Sequence, residues 1–445
     1  MSVDRSSPPR AHAVGTVTFP AFLRHRLSSG VDILVARTPK VPLATLEIIL
    51  PGGAEREPRE LHGLATLTAG MLDEGTSRHD VHAIASRVER TGSYLTTSAD
   101  WDATYLQCGG LAANWEENLA TLCESVFDPA FPLSEFERLR QQRQAELLAR
   151  RDQPSALADE AFAALLYAGT PYDHVLGGDD ASLARTGRDD AAGFHRRHLS
   201  ARGAALVAAG DLDPAAVLRI AERAFADLPA LSIPPAAEVR PLSHRGVRVR
   251  IVDRPGAAQT ELRVGHLGVG RSNPDRATLR ILNSLLGGKF TSRINLNLRE
   301  RHGYTYGAFS RFADRRGPGP FTVSCAAGTE HVGAATREVL AELARLRDER
   351  VTPEELADTR SYLLGVYPYS LQTADDLVDR LETLAVHDLP DDYHSRQLEA
   401  LRTVTADDIL AAAGRYLHPD DAVVVAVGPR ADLLPQLAPL GLLLD

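Results

Sequence analysis

Two pairs of histidines, His79/His82 and His195/His198, stand within one helical turn of each other in this 445-residue chain. Each pair is spaced i, i+3 beside charged residues, Asp80 in the first and Arg196 and Arg197 in the second. Both therefore read as water-facing helical surfaces. No H-x-x-E-H or H-E-x-x-H segment stacks two imidazoles over one metal, and no Gly-x-Ser-x-Gly elbow presents a nucleophile. Cys108, Cys123 and Cys325 are too scattered for a disulfide framework or a zinc ribbon. They read as small buried hydrophobes in a protein of the reducing cytoplasm. In GGKFTSR, Gly287 and Gly288 would let the backbone approach a ligand, or would turn one helix into the next; the spacing is not that of a phosphate loop. Asp179 and Asp180 in GGDDASL suit a helix N-terminus. LRERHGYTY, residues 298–306, carries two further donors. The Arg299 guanidinium and the Tyr306 phenol can both donate to a peptide carbonyl. Taken singly, they read better as a helix cap or ion pair and a packed strand residue.

The elements that must position these groups come in two copies. TLEIILPGG from Thr45 matches TELRVGHLG from Thr260, and RTGSYLTTS from Arg90 matches RHGYTYGAFS from Arg301. CGGLAANWEENLATL from Cys108 matches CAAGTEHVGAATREVL from Cys325, and LSARGAALVAAGDLDP from Leu199 matches LHPDDAVVVAVGPRADL from Leu417. The offsets are 215, 211, 217 and 218, in the same order, which marks a duplication. We expect domains at 15–227 and 246–445, joined by a Pro-rich linker at 228–245. Strands gather first and helices later in each half, which argues for an α+β fold of mainly antiparallel sheets packed on helices. HGLATLTAGMLDEGT, residues 62–76, reads as one amphipathic helix ending at Gly75. A capping box is expected at Ser134/Glu137, and another at Thr352 with Pro353 and Glu355. The formal charge of −10 argues against a nucleic-acid partner, and no apolar run suits a secretory signal or a membrane helix. Nearly all of the 49 basic residues are Arg, which reads as compositional bias.

Two motifs carry a resemblance to the pitrilysin/insulinase-like zinc peptidases (inverzincins), in particular the mitochondrial-processing-peptidase-like branch. PGGAEREPRELHGLATLTAGMLDEGT is similar to the segment around that family's inverted zinc motif, and LLGGKFTSRINLNLRERHGYTYGAFSRF to its glycine loop and Arg/Tyr pair. In the family, H-x-x-E-H supplies two ligands and a base. Here those positions fall on Thr66, Ala69 and Gly70, none of which can serve, while Glu146 stands where a third ligand would fall. Alone, Glu146 reads as an acid paired with Arg143 or Arg150. No metal or cofactor is expected in this chain. The second motif is whole, and the resemblance implies that Arg299 and Tyr306, with Gly287 and Gly288, face an extended peptide. It further implies a heterodimer in which a homologous H-x-x-E-H subunit supplies zinc and base, and this chain is the non-catalytic, substrate-binding subunit of an endopeptidase. The alternatives are a structural or assembly subunit without a proteolytic role, or a stand-alone peptide-binding protein.

Overall fold

The computed structural model describes residues 15, 17–198, 202–228, 230 and 245–444, so the expected linker lies almost wholly outside the described residues. The first sheet contains β1 (Leu23–Arg26), β2 (Asp32–Arg37), β3 (Leu43–Pro51), β4 (Tyr94–Ala99), β5 (Ala103–Leu111) and β6 (Ala205–Gly210). The second contains β7 (Arg248–Asp253), β8 (Gln259–Leu267), β9 (Thr305–Phe312), β10 (Pro320–Gly328), β11 (Val423–Gly428) and β12 (Leu442–Leu444). The strand orders are β1-β2-β6-β3-β5-β4 and β12-β7-β11-β8-β10-β9, so five strands of each sheet take equivalent places. Most neighbours are antiparallel; β2/β6, β7/β11 and β7/β12 are parallel. The fold is α+β, built twice.

The central strands explain how the halves hold together. Every residue of ALVAAG in β6 and of VVVAVG in β11 is buried, a pattern that requires cover on both faces of a sheet. One face of the first sheet, with Val35, Leu46, Ile48 and Leu206, packs on helices of its own half through Leu67, Leu119 and Leu122. Its other face, with Leu34, Ile49, Ala205 and Val207, is covered by Leu377, Val378, Leu381 and Leu384 of the helix Ala374–Val386, which belongs to the second half. The reverse also holds. Val423, Val425 and Val427 of β11 pack on Ala158, Phe162 and Leu166 of the helix Pro154–Leu166, from the first half. Each half lends a helix to the other's sheet.

Polar contacts fix this exchange. Arg263 of β8 donates from Nε to Asp159 Oδ1 at 2.6 Å and from Nη2 to the Ser155 carbonyl at 3.2 Å. Arg315 lies 4.6 Å from the ring centroids of Trp101 and Tyr167 and 4.7 Å from that of Tyr172, so three aromatic faces of the first half hold one cation of the second. At the other exchanged helix, Asp375 Oδ1 accepts from Tyr94 Oη at 2.7 Å and from Thr45 Oγ1. Deeper in the same seam, burial first and then Glu382 and Asp379 raise the Glu47 carboxyl well above the usual carboxylate range. Glu382 is pushed up to about 8, by burial first and then by Asp379 and Asp100.

Several local expectations need correction. The helix expected to reach Gly75 spans only Leu64–Gly70; beyond it Met71 and Leu72 close tighter, three-residue hydrogen bonds, and Gly75 turns the chain at φ 139°. Ser134 is not an N-cap: the helix starts one residue earlier, as Leu133–Arg150 after Pro132, and Glu137 pairs with Arg140 instead. The Thr352/Glu355 capping box is formed, and Asp179 caps the helix Asp180–Arg185 in another, with Ser182. His195 is not water-facing but buried against Phe131, and His198 packs beside Phe194. His79 precedes its helix, with Nδ1 2.6 Å from Glu124 Oε1, while His82 is exposed. All three thiols are free, and burial lifts each to about 12. No helix of the described residues is long and apolar enough to cross a membrane.

The seam acids give a pH prediction. The folded Glu382 carboxyl keeps its proton to about 8, against an ordinary value of 4.5, so its stabilising contribution is complete below the lower value and is lost as pH rises through the higher one. Glu382→Gln should therefore raise Tm at about pH 8 by a few degrees and flatten the fall of Tm between about pH 5 and pH 8, read by thermal unfolding across that range. An unchanged slope would rule out the seam carboxyls as its source. Leu381→Ala, which empties the same interface, should cost about 2–5 kcal/mol in denaturant unfolding.

Candidate functional site

The Leu64–Gly70 helix starts from a buried acid. Glu57 accepts from the amides of Gly63 at 2.9 Å and Ala65 at 2.7 Å, tying down two donors that the helix leaves unsatisfied. Burial lifts the Glu57 carboxyl, opposed by His174, whose Nε2 lies 3.1 Å from Glu57 Oε2. On this helix the three positions of the expected metal motif are filled or closed. Thr66 Oγ1 donates to the Leu176 carbonyl at 2.9 Å, Ala69 is buried in the core, and a Cβ on Gly70 would meet Leu139 at 3.5 Å. Glu146, on the neighbouring Leu133–Arg150 helix, is half-exposed and pairs with Arg143 at 2.6 Å. These residues do not fit zinc. No imidazole or carboxylate takes the three motif positions: a bonded hydroxyl, a methyl and a bare Cα offer no ligand set for the ion.

One other group of metal-ligating side chains comes together among the described residues. His62, Asp173 and His174 bring ligand atoms within 4.8 Å of one another. The two imidazoles lie stacked, 3.8 Å apart and 9° from parallel, so their in-plane lone pairs run side by side instead of converging. His174 is also engaged by Glu57. The arrangement serves as a cap for the helix start, with His174 wedged against Trp101. Burial and then the neighbouring His174 hold His62 below its ordinary value.

Arg299 and Tyr306 are brought to one place in the second half. After Ser292 the chain makes a short α-helix, Arg293–Asn295, and then a π-helical turn, Leu296–Arg301, closed by the His302 amide on the Asn297 carbonyl at 3.1 Å. π-Turns are rare and need side-chain support. Here Asn297 donates to Glu342 at 2.7 Å and Glu338 at 2.9 Å, and Arg293 clasps Glu355 with two bonds of 2.9 Å. Asn295 accepts from the Ala308 amide at 3.1 Å and so pins the turn to β9. Arg299 lies over the Phe290 ring at 4.5 Å, with only the adjacent Glu300 at 3.4 Å as an acid partner.

Tyr306 is 88% exposed on β9, the edge strand, with Phe309 and Phe290 exposed beside it. β9 is not a bare edge, however: its Ala308 amide is bonded to Asn295 Oδ1 at 3.1 Å and its Ser310 amide to the Gly287 carbonyl at 3.0 Å, so its own half covers that part of the strand. Gly287 has a packing role: a Cβ there would fall 2.6 Å from the Ser310 nitrogen, where the helix Arg276–Leu286 ends against β9. Gly288 is exposed, yet a Cβ would meet Asn283 at 2.7 Å. No hydrogen bond or ion pair among the described residues joins Arg299 or Tyr306 to the Thr66–Gly70 helix. A groove of about 520 Å³ does run between the halves, lined by Trp101, His174 and Leu176 on one side and Phe309, Arg311 and Arg315 on the other. Neither Arg299 nor Tyr306 lines it.

Residues 32–180 match the model of the insulinase family (peptidase family M16), and residues 186–363 match that of the peptidase M16 inactive domain. The chain is similar to an uncharacterised zinc protease of Streptomyces coelicolor, 24% identical over 95% of this chain and 91% of the relative. It is also similar to the mitochondrial-processing peptidase subunit beta of Lentinula edodes, 25% identical over 62% of this chain and 60% of that protein. Among solved structures, a peptidase M16 inactive domain from Pseudomonas fluorescens superimposes with a TM-score of 0.84 at 27% identity, covering 92% of this chain and 98% of that one.

The packed Thr66–Gly70 helix predicts that the purified chain, analysed for metals, carries well under one zinc per molecule. One zinc per chain would overturn this reading, and its loss in His62→Ala or His174→Ala would place it on the stacked pair.

Proposed function

Since the chain belongs to the insulinase-like M16 peptidase family, we propose that it is the non-catalytic, peptide-binding subunit of a zinc metallopeptidase. A homologous M16 partner with an H-x-x-E-H motif completes it. The observation that carries this reading is an asymmetry. The metal-motif helix carries no zinc-binding side chain, and its Thr66 hydroxyl is bonded to a backbone carbonyl, whereas Tyr306 stands exposed on an edge strand beside a π-turn held in place by Asn295, Asn297 and Arg293. A buried scaffold that ends in an exposed phenol and a lightly paired guanidinium suits a ligand supplied from outside.

The chemistry follows from the donors. The amides of Ala308 and Ser310 on β9 are already bonded within the chain, so the exposed Tyr306, Phe309 and Phe290 side chains supply the contact surface for an extended peptide. Tyr306 Oη–H and the Arg299 guanidinium are then free to donate to a carbonyl oxygen of that peptide. Such donors stabilise the carbonyl most when it turns into an oxyanion, so they favour the transition state over the bound substrate. Zinc and the general base would come from the partner. Short peptides, or leader and targeting segments in extended form, are the substrate class, and the cytoplasm is the expected compartment.

The test is to co-purify the chain with M16 homologues that carry H-x-x-E-H and to assay peptide cleavage with and without it. Tyr306→Phe and Arg299→Ala should each lower kcat/KM of the complex by roughly 10²-fold, mostly in kcat, with Tm unchanged because both groups lie at the surface. Cleavage unaffected by both substitutions would leave the chain an assembly subunit. Peptide affinity without any partner would make it a stand-alone binder.

A further inference from the structure

The arginines of the second half are not evenly spread. Five of them line one cavity of about 250 Å³: Arg271, Arg276, Arg280, Arg311 and Arg380. Its walls come from the loop after β8, the helix Arg276–Leu286, β9, the turn Tyr367–Leu371, the exchanged helix Ala374–Val386 and the helix Tyr393–Thr403. No carboxylate lines it. Asp314, at the margin, takes one bond from Arg271 and one from Arg276. Arg280, Arg311 and Arg380 form no ion pair with a described residue.

The donors facing this space are in excess. Arg271 Nε, Arg276 Nη1, Arg380 Nε and the hydroxyl of Tyr367 are buried without a hydrogen-bond partner among the described residues. Tyr367 is only 3% exposed. Burying a guanidinium is tolerable when an anion and hydrogen bonds compensate it, and unpaired buried donors are costly. Here one aspartate answers two arginines; Arg271 also lies over the Tyr393 ring at 5.5 Å and Arg280 over the Tyr367 ring at 5.9 Å, while no carboxylate of the described residues pairs with Arg280, Arg311 or Arg380. The field is felt nearby: burial first, then Arg271, lowers Arg276 to about 10, and burial followed by Arg271, Arg380 and Arg280 holds His394 down to about 4. Guanidinium groups keep their charge near neutral pH, so the cavity stays cationic there.

We propose that this cavity is a binding site for a compact phosphate-type anion, held by Arg271, Arg276, Arg280, Arg311 and Arg380 with Tyr367 as a hydroxyl donor. Planar guanidinium forks match the oxygens of a phosphate two at a time, and several forks around one centre suit a multiply charged anion better than a single carboxylate. The volume admits a phosphate or diphosphate group and excludes a folded chain. The site also spans the seam. Arg380 rides on the helix that covers the first sheet, Arg276 and Arg280 lie on the helix that ends against β9, and Arg311 lines both this cavity and the inter-half groove. An anion here ties the exchanged helix to the strand that carries Tyr306.

The test titrates the full-length chain with inorganic phosphate, pyrophosphate and adenosine monophosphate by calorimetry and thermal unfolding, against sodium chloride of matched ionic strength. We expect saturable one-to-one binding of at least one of the three and a Tm rise of roughly 2–4 °C near saturation. Tighter binding of adenosine monophosphate than of phosphate would identify a phosphate ester as the natural source, and the reverse order a free phosphate or diphosphate. Arg280→Gln and Arg380→Gln, on different helices, should each weaken binding at least about tenfold while raising the Tm of the anion-free protein, since each removes an unpaired positive charge. A purely structural arginine would do the opposite and lower that Tm. Absence of saturable binding to all three anions overturns the proposal, as does undiminished affinity in both variants.

Discussion

Two sheets with apolar residues on both faces impose the constraint on which the rest of this structure depends. A sheet whose central strands read ALVAAG or VVVAVG cannot leave either side to water, and the helices available within one half cover a single side. The exchange of Pro154–Leu166 and Ala374–Val386 solves both problems at once. It makes the two halves one body, with Arg263, Arg315 and Asp375 locking the crossing points. It also decides where a groove can run, because the exchanged helix Pro154–Leu166 and the flanking Trp101 and His174 form part of its wall.

Within that body the two copies of one design have diverged. The first half has turned its motif helix inward, with Thr66 bonded to a backbone carbonyl and Ala69 sealed in the core. The second half holds Tyr306 exposed on an edge strand and braces the neighbouring π-turn with two asparagines and an Arg–Glu clasp. Such a turn is less favourable than a regular helix and persists only where the surrounding bonds over-determine it. That bracing lies where Arg299 emerges.

How much of this was legible in the residues depended on the kind of information required. The duplication and the α+β layering were readable, since strand patterns such as VDILVA and VRVRIV state their own period. The exchange of helices was not. An apolar stripe such as Leu377, Val378, Leu381 and Leu384 says that a helix is covered but does not name the sheet that covers it. His195 misled through its neighbours: Arg196 and Arg197 mark exposed directions, yet successive helical residues point about 100° apart, so they say little about where His195 itself points. Ser134 misled by two positions, since the N-cap is Pro132 and the helix already runs from Leu133. The residue types at Thr66, Ala69 and Gly70 were plain in the sequence, but the bond from Thr66 to the Leu176 carbonyl was not. The arginine cavity was hidden by abundance, because residues drawn from a loop, two helices and a strand resemble background composition until the fold gathers them.

The exchanged helices also bear on how the molecule is made. β6 completes the first sheet at Gly210, but the outer face of that sheet stays bare until Ala374–Val386 has been synthesised. The first half therefore leaves the ribosome with a broad apolar surface and must hold it until the second half has been made as far as Val386. That is the interval in which a nascent chain most needs protection from its neighbours. Contacts so distant in sequence also slow the search for the native state. A duplication that gained rigidity by swapping helices thus surrendered the independence that lets most repeated domains fold in turn.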